Sequence, residues 1–407
     1  MGSQAQRGPD EGRREGILVR VTTNPTQQSQ TAPSDRSALG TVSRNDRMLF
    51  GLTVVVTAVA ALARSLGDVV AFIAAALALA LLAACVGRAV DALGDRVSPA
   101  ATGLLQSALG NLPELLILVF ALRSGLLGVV QATIVGSILA NVALVLGVAF
   151  IAGGLKHGAQ EFSGEAARDI GLSLLLAVSA LAVPSLTFHL HTPAATHERT
   201  LSVITSVVLL VAFALSLVHT LRPGGSGSAG DGPAGGAPGV ATAEEPTGDQ
   251  VEPSSWPLWL AVVVLAMTGV LAALVSDWFV GALKPAMSTL HISDAFAGLV
   301  IVAIAGNAVE NFVGIQLAMK NRAEHALQVV LQSPLQIAMV VAPVVLLVAP
   351  LLGAASFTLV LSPLLLASLL LSALVAVFIT LDGKSTWYEG VVLVALYVLL
   401  ATSFWWG

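Results

Sequence analysis

Two five-residue stretches hold the residues best suited to chemistry. Gly110-Asn111-Leu112-Pro113-Glu114 sits inside the apolar run from Pro99 to Leu122, and Gly306-Asn307-Ala308-Val309-Glu310 repeats it inside the run from Ile292 to Met319. An ionised side chain near mid-membrane costs roughly 2.5 to 3.5 kcal/mol on insertion scales, so a carboxylate placed twice behind the same Gly-Asn points to function. Asn and Glu three residues apart share one helical face, where amide and carboxyl oxygens converge. Glycine, joined by Pro113 in the first copy, can break the helix and free backbone carbonyls. The two stretches therefore read as halves of one ion site.

The segment after each glutamate adds polar side chains: Gln131, Ser137 and Asn141 in the first half, and Gln328, Gln332, Ser333 and Gln336 in the second. Ser137 and Asn141 are four residues apart and Ser333 and Gln336 three apart, so each pair shares a face able to look toward the glutamates. Carboxylates, amides, hydroxyls and carbonyls are hard ligands that suit Ca2+, Mg2+ or Mn2+ rather than soft transition metals. Two glutamates balance one divalent ion, and protons can neutralise them equally well, because desolvation and mutual repulsion disfavour an empty, doubly charged site. Competition between the two cargoes suffices for exchange, provided the empty site cannot reorient. The competing reading makes the amides and hydroxyls interhelical glue, each contributing about 0.6 kcal/mol. The seven histidines fall at loops or helix ends without the spacing of a zinc hydrolase, and the single Cys85 reads as a small buried side chain.

The elements that must position these residues are membrane spans. The chain is 407 residues long, 56% hydrophobic and only 11% charged, far from the ~25% charge of soluble domains. Its net charge of -5 suggests no nucleic-acid partner. Residues 1–46 are polar, lack the apolar core of a signal peptide and read as a disordered cytoplasmic tail. Apolar runs follow at 48–65, 67–88, 98–122, 126–154, 169–188 and 199–221, then at 256–282, 293–319, 324–350, 356–381 and 386–405, about eleven helices in all. The Gly-, Pro- and Ser-rich stretch 222–255 reads as a flexible cytoplasmic linker. Lys and Arg are concentrated on one set of loops, which predicts the N-terminus inside and the C-terminus outside. A leading helix and a group of five in 47–221, followed by a second group of five in 256–407, then set the two motifs in helices of opposite direction. That is an inverted repeat with its site near the midplane.

The run from Ala89 to Phe150, with Gly110-Asn111-x-x-Glu114-Leu115, Val129-Val130-Gln131-Ala132 and Gly136-Ser137-Ile138-Leu139-x-Asn141, closely resembles the first repeat of the cation/proton exchangers (CAX) of the calcium/cation antiporter superfamily. Gly306-Asn307-Ala308-x-Glu310, Gln336-Ile337-Ala338 and Asp382-Gly383-Lys384-Ser385-x-Trp387-x-Glu389-Gly390 resemble the second repeat and last loop. The resemblance implies an all-α polytopic protein that exports or sequesters Ca2+ in exchange for H+, with Glu114 and Glu310 as ion-binding glutamates. Four positions in three places depart from the family pattern. Asn311 stands where a histidine is usual, Gln332-Ser333-Pro334 replaces Gly-Ser-Ser, and Ala303 replaces a proline.

The expectation is a secondary-active antiporter of the plasma (inner) membrane, not an enzyme, exchanging Ca2+ or a related divalent cation for H+. Glu114 and Glu310 serve as shared metal and proton ligands, and Asn111, Asn307, Ser137, Asn141, Ser333 and Gln336 as secondary ligands or gate residues. The sequence calls for no cofactor beyond the transported ions, has the lipid bilayer as its surroundings, and leaves a homo-oligomer open. A Na+/Ca2+ exchanger or a passive cation channel is the alternative; an intramembrane hydrolase fits the matched motifs poorly.

Overall fold

The computed structural model describes residues 42–94, 109–221 and 256–406. The expected tail and linker thus fall almost wholly outside the described residues. The helices are α1 (Arg44–Ala63), α2 (Asp68–Gly94), α3 (Leu112–Arg123), α4 (Leu127–His157), α5 (Gly164–His189), α6 (Glu198–Leu221), α7 (Leu258–Leu290), α8 (Asp294–Gly306), α9 (Ala308–Met319), α10 (Ala323–Leu352), α11 (Pro363–Thr380) and α12 (Trp387–Trp405). Nine of these are long and apolar enough to cross a membrane, and α8 and α9, which meet at a bend of 64°, make a tenth if the pair counts as one span. The eleventh expected span, 98–122, is described only from 109 onward.

Small residues set the packing. An added Cβ on Gly136 of α4 would lie 2.4 Å from the Leu299 backbone, and one on Gly298 of α8 would lie 2.5 Å from the Val129 carbonyl. Lower on α4, a Cβ on Gly147 would lie 2.8 Å from the Gly390 carbonyl of α12. Such close approach is how helices associate where lipid supplies no hydrophobic drive. The contacts also give direction. Gly128 meets Asp294, Gly136 meets Leu299, and Ser137 meets Asn307, so α8 runs parallel to α4. A three-residue turn reverses α3 into α4, so α3 and α8 run in opposite senses, as an inverted repeat requires.

Short connections close the two ends. On one, β1 (Gln160–Glu161) pairs antiparallel with β2 (Lys384–Ser385). There Lys156 and Gln160 donate to the Met319 and Ala318 carbonyls at the end of α9, both at 3.0 Å. On the other, residues 353–362 form a non-helical strap held by remote side chains: the Gln131 amide donates to the Thr358 and Val360 carbonyls, and Ser185 bonds both Leu359 and Leu361. The apolar run expected as a helix from 356 therefore becomes helical only at Pro363, whose ring favours the first turn.

Several expectations are corrected. The first helix starts at Arg44, inside the expected tail, because Ser43 caps it by accepting from the Asp46 backbone N–H. Asp46 itself is buried and ion-paired with Arg88 at 2.9 Å. α7 continues past its expected end at 282, through Lys284 and Pro285, to Leu290. Two histidines have structural partners: His157 and His189 meet the Met319 and Leu361 carbonyls at 2.9 and 2.8 Å.

Candidate functional site

Both Gly-Asn motifs break a helix at the asparagine. Asn111 (φ -88°, ψ 13°) and Asn307 (φ -106°, ψ 19°) leave helical geometry and occupy the N-cap positions of α3 and α9. Each glutamate is thereby the third residue of a new helix, where the macrodipole favours a carboxylate. The helix ending at Gly306 directs its last, unsatisfied carbonyls toward the same break. Gly306 packs beside Glu114, and a Cβ added there would lie 3.6 Å from the Glu114 Cβ and Cγ, an ordinary contact.

A chain of hydrogen bonds joins the two halves. Ser137 Oγ donates to Glu114 Oε1 and accepts from Asn307 Nδ2 at 3.0 Å. Asn307 Nδ2 also donates to the Ala303 carbonyl at 3.0 Å, and its Oδ1 accepts from Ser333 Oγ at 3.3 Å. Asn141 Nδ2 donates to the Ser137 carbonyl at 2.9 Å and to Ser333 Oγ at 3.4 Å. Separately, Asn111 Nδ2 donates to Gln336 Oε1 at 2.8 Å, across 225 residues of sequence. All eight residues expected at the site thus enter it except Glu310, which takes part in none of these side-chain bonds.

Glu114, Ser137, Asn141 and Asn307 are each at most 1% exposed. The two halves are not equivalent. Ser137 serves Glu114, whereas Ser333, its counterpart on α10, serves Asn307. Gln131 has a structural partner in the 353–362 strap, where its amide donates to the Thr358 and Val360 carbonyls.

The interior retains oxygens with nothing to bond. Glu114 Oε2, Glu310 Oε2, Asn141 Oδ1 and Asn311 Oδ1 are buried without hydrogen-bond partners. Acceptors left so deeply unsatisfied call for a proton or a cation. The donor set is all oxygen, and no group of three His, Cys, Asp or Glu side chains lies close enough to hold a metal among the described residues. An all-oxygen donor set is what hard cations prefer. Sequence reasoning missed Asn311 Oδ1 as part of this set; its place next to Glu310 was the available signal.

Broken helices of opposite direction, meeting at paired carboxylates deep in a helical bundle, define an ion-coupled membrane transporter of inverted-repeat type. The chain matches the sodium/calcium exchanger protein family over residues 67–222 and 260–406, and it belongs to that family. Relatives include a Ca(2+)/H(+) antiporter of Synechocystis sp., 35% identical over 83% of this chain and 91% of the relative. Another, from Aphanothece halophytica, is also a Ca(2+)/H(+) antiporter, 33% identical over 83% of this chain and 90% of its own. The solved structure of native YfkE superposes with a TM-score of 0.71 at 29% identity, covering 88% of this chain and 99% of that one. The H+/Ca2+ exchanger CAX shares the fold, with a TM-score of 0.65 at 17% identity over 89% of this chain and 92% of its own.

Proposed function

We infer that this integral membrane protein is a secondary-active antiporter that exchanges Ca2+ for H+. Glu114 and Glu310 are the shared ligands: carboxylates that carry Ca2+ when ionised and two protons when not. The observation that carries this reading is the pair of unpartnered, buried carboxylate oxygens, Glu114 Oε2 and Glu310 Oε2, at matched helix breaks. The naming of the antiporter relatives supports the choice of ions.

Asn141 Oδ1, Asn111 and Gln336 supply neutral oxygen ligands, while Ser137, Ser333 and Asn307 form the scaffold that aims them. Exchange follows because an empty site with two charges in a low-dielectric interior is too costly to reorient, so only the Ca2+-loaded or protonated forms cross. The protein resides in the plasma (inner) membrane with the N-terminus, residues 222–255 and the β1–β2 end cytoplasmic. The bias of Lys and Arg toward that side supports the orientation.

Everted vesicles test the reading. Glu114→Gln and Glu310→Gln each abolish proton-driven Ca2+ uptake while the variants remain folded in detergent. Uptake at the parent rate by either variant contradicts the assignment.

A further inference from the structure

Glu324, Gln328, Gln332 and Gln336 follow one another at four-residue intervals along α10. Side chains so spaced form one slowly winding stripe. From Glu324 to Gln336 the helix rises about 18 Å, close to half the ~30 Å hydrocarbon thickness of a bilayer. The stripe begins in the first turn of α10, beside the β1–β2 end, and finishes at Gln336, which accepts from Asn111 of the first helix break.

Gln332 is the informative member. It is only 6% exposed, and its side chain makes no hydrogen bond among the described residues. Burying an amide without partners is costly. Yet neither its oxygen nor its nitrogen is among the sealed, unpartnered atoms of the interior, unlike Glu310 Oε2 or Asn311 Oδ1. The Gln332 amide therefore borders space that a water molecule reaches. Gln328, one turn nearer the β1–β2 end, is half-buried and likewise makes no side-chain hydrogen bond among the described residues. Two amides one turn apart on one helix face, Gln328 and Gln332, neither bonded by protein nor sealed off, are what an aqueous route requires.

We propose that Glu324, Gln328 and Gln332 line a water-filled access path from the β1–β2 end to the Glu114–Glu310 site, and that the Gln332 carbonyl oxygen is a transit ligand for the incoming divalent cation. Glu324 supplies negative charge at the mouth. The amide oxygens then replace hydration water one at a time without trapping the ion, since a neutral oxygen holds it more weakly than the carboxylates beyond. The cation-carrying part rests on the exchange reading; the existence of the path does not.

Single cysteines placed in a Cys85→Ala background separate the two. A membrane-impermeant cationic thiosulfonate is added to one side of sealed vesicles, with Lys384→Cys on β2 marking the β1–β2 face. Gln328→Cys and Gln332→Cys react from the face that labels Lys384→Cys, at least ~10-fold faster than Leu331→Cys on the sealed side of α10, and Ca2+ slows Gln332→Cys. No reaction at Gln332→Cys, or reaction only from the opposite face, overturns the path. Labelling indifferent to Ca2+ overturns the transit role. As an independent variant, Gln332→Leu preserves bulk and removes the amide: the maximal Ca2+ flux falls by ~10-fold or more, while equilibrium Ca2+ binding to the purified protein stays within ~2-fold. An unchanged flux overturns the proposal.

Discussion

Replacing Ser137 by alanine probes the inequality of the two halves. The Ser137 hydroxyl donates to Glu114 Oε1 and accepts from Asn307 Nδ2. Its removal strips the carboxylate of its orienting donor in a fully buried setting, whereas Asn307 keeps its second acceptor, the Ala303 carbonyl. A hydrogen bond to a charged group contributes about 1.5 to 3 kcal/mol, and loss of a group that orients a metal ligand weakens metal binding roughly 10- to 100-fold. Ser137→Ala should therefore raise the half-saturating Ca2+ concentration by about that factor with little loss of fold. Ser333→Ala removes a longer bond between neutral groups, 3.3 Å to Asn307 Oδ1, worth about 0.5 to 1.5 kcal/mol, so its effect stays below about 10-fold. Calcium titrations of uptake into everted vesicles, with thermal melting in detergent as the folding control, give both numbers. A Ser333→Ala effect equal to or larger than that of Ser137→Ala refutes the reasoning that Glu114 is the serine-supported half.

Other outcomes follow from the same geometry. Gly136→Ala forces a Cβ to 2.4 Å from the Leu299 backbone, and overpacking of this kind costs about 1 to 3 kcal/mol or more; its melting temperature drops sharply. Gly306→Ala places its Cβ 3.6 Å from Glu114, an ordinary contact, and its melting temperature stays near the parent's. Gln131→Ala orphans the Thr358 and Val360 carbonyls, which lowers stability by about 1 to 3 kcal/mol while leaving Ca2+ affinity unchanged, as paired melting and uptake curves will report. Because protons and Ca2+ compete for the same oxygens, the half-saturating Ca2+ concentration rises as pH falls, by at most about 100-fold per pH unit if two protons leave for each ion bound. A pH-independent value would argue against shared ligands.

The glutamates and their helix breaks were legible because the membrane makes an internal carboxylate conspicuous and Gly-Asn marks where a helix gives way. The opposite senses of the two motif helices followed from the number of spans between them, and the parallel approach of α8 to α4 agrees. The strap at 353–362 was not legible: Phe357, Leu359 and Leu361 read as a helix, whereas Gln131, Ser185, His189 and Ser202, some 160 to 230 residues away, supply side-chain partners for its backbone. Nor was the fate of Asp46, since Arg44 and Arg47 flank it in sequence while its partner Arg88 lies one helix away. Periodicity tells which residues share a face of α10. It does not tell that Ser333 turns to Asn307, or that Gln336 turns to Asn111. Those choices depend on how two distant halves meet.

The central claim is coupling through the two glutamates, and reconstitution measures it directly. Purified protein in liposomes carries a Ca2+ indicator and a pH dye inside, in sodium-free buffer. An imposed outward proton gradient should drive Ca2+ inward, and an imposed Ca2+ gradient should drive H+ the other way, with both fluxes lost in Glu310→Gln. Calcium entry without proton movement, or exchange that appears only when Na+ is added, would contradict the account.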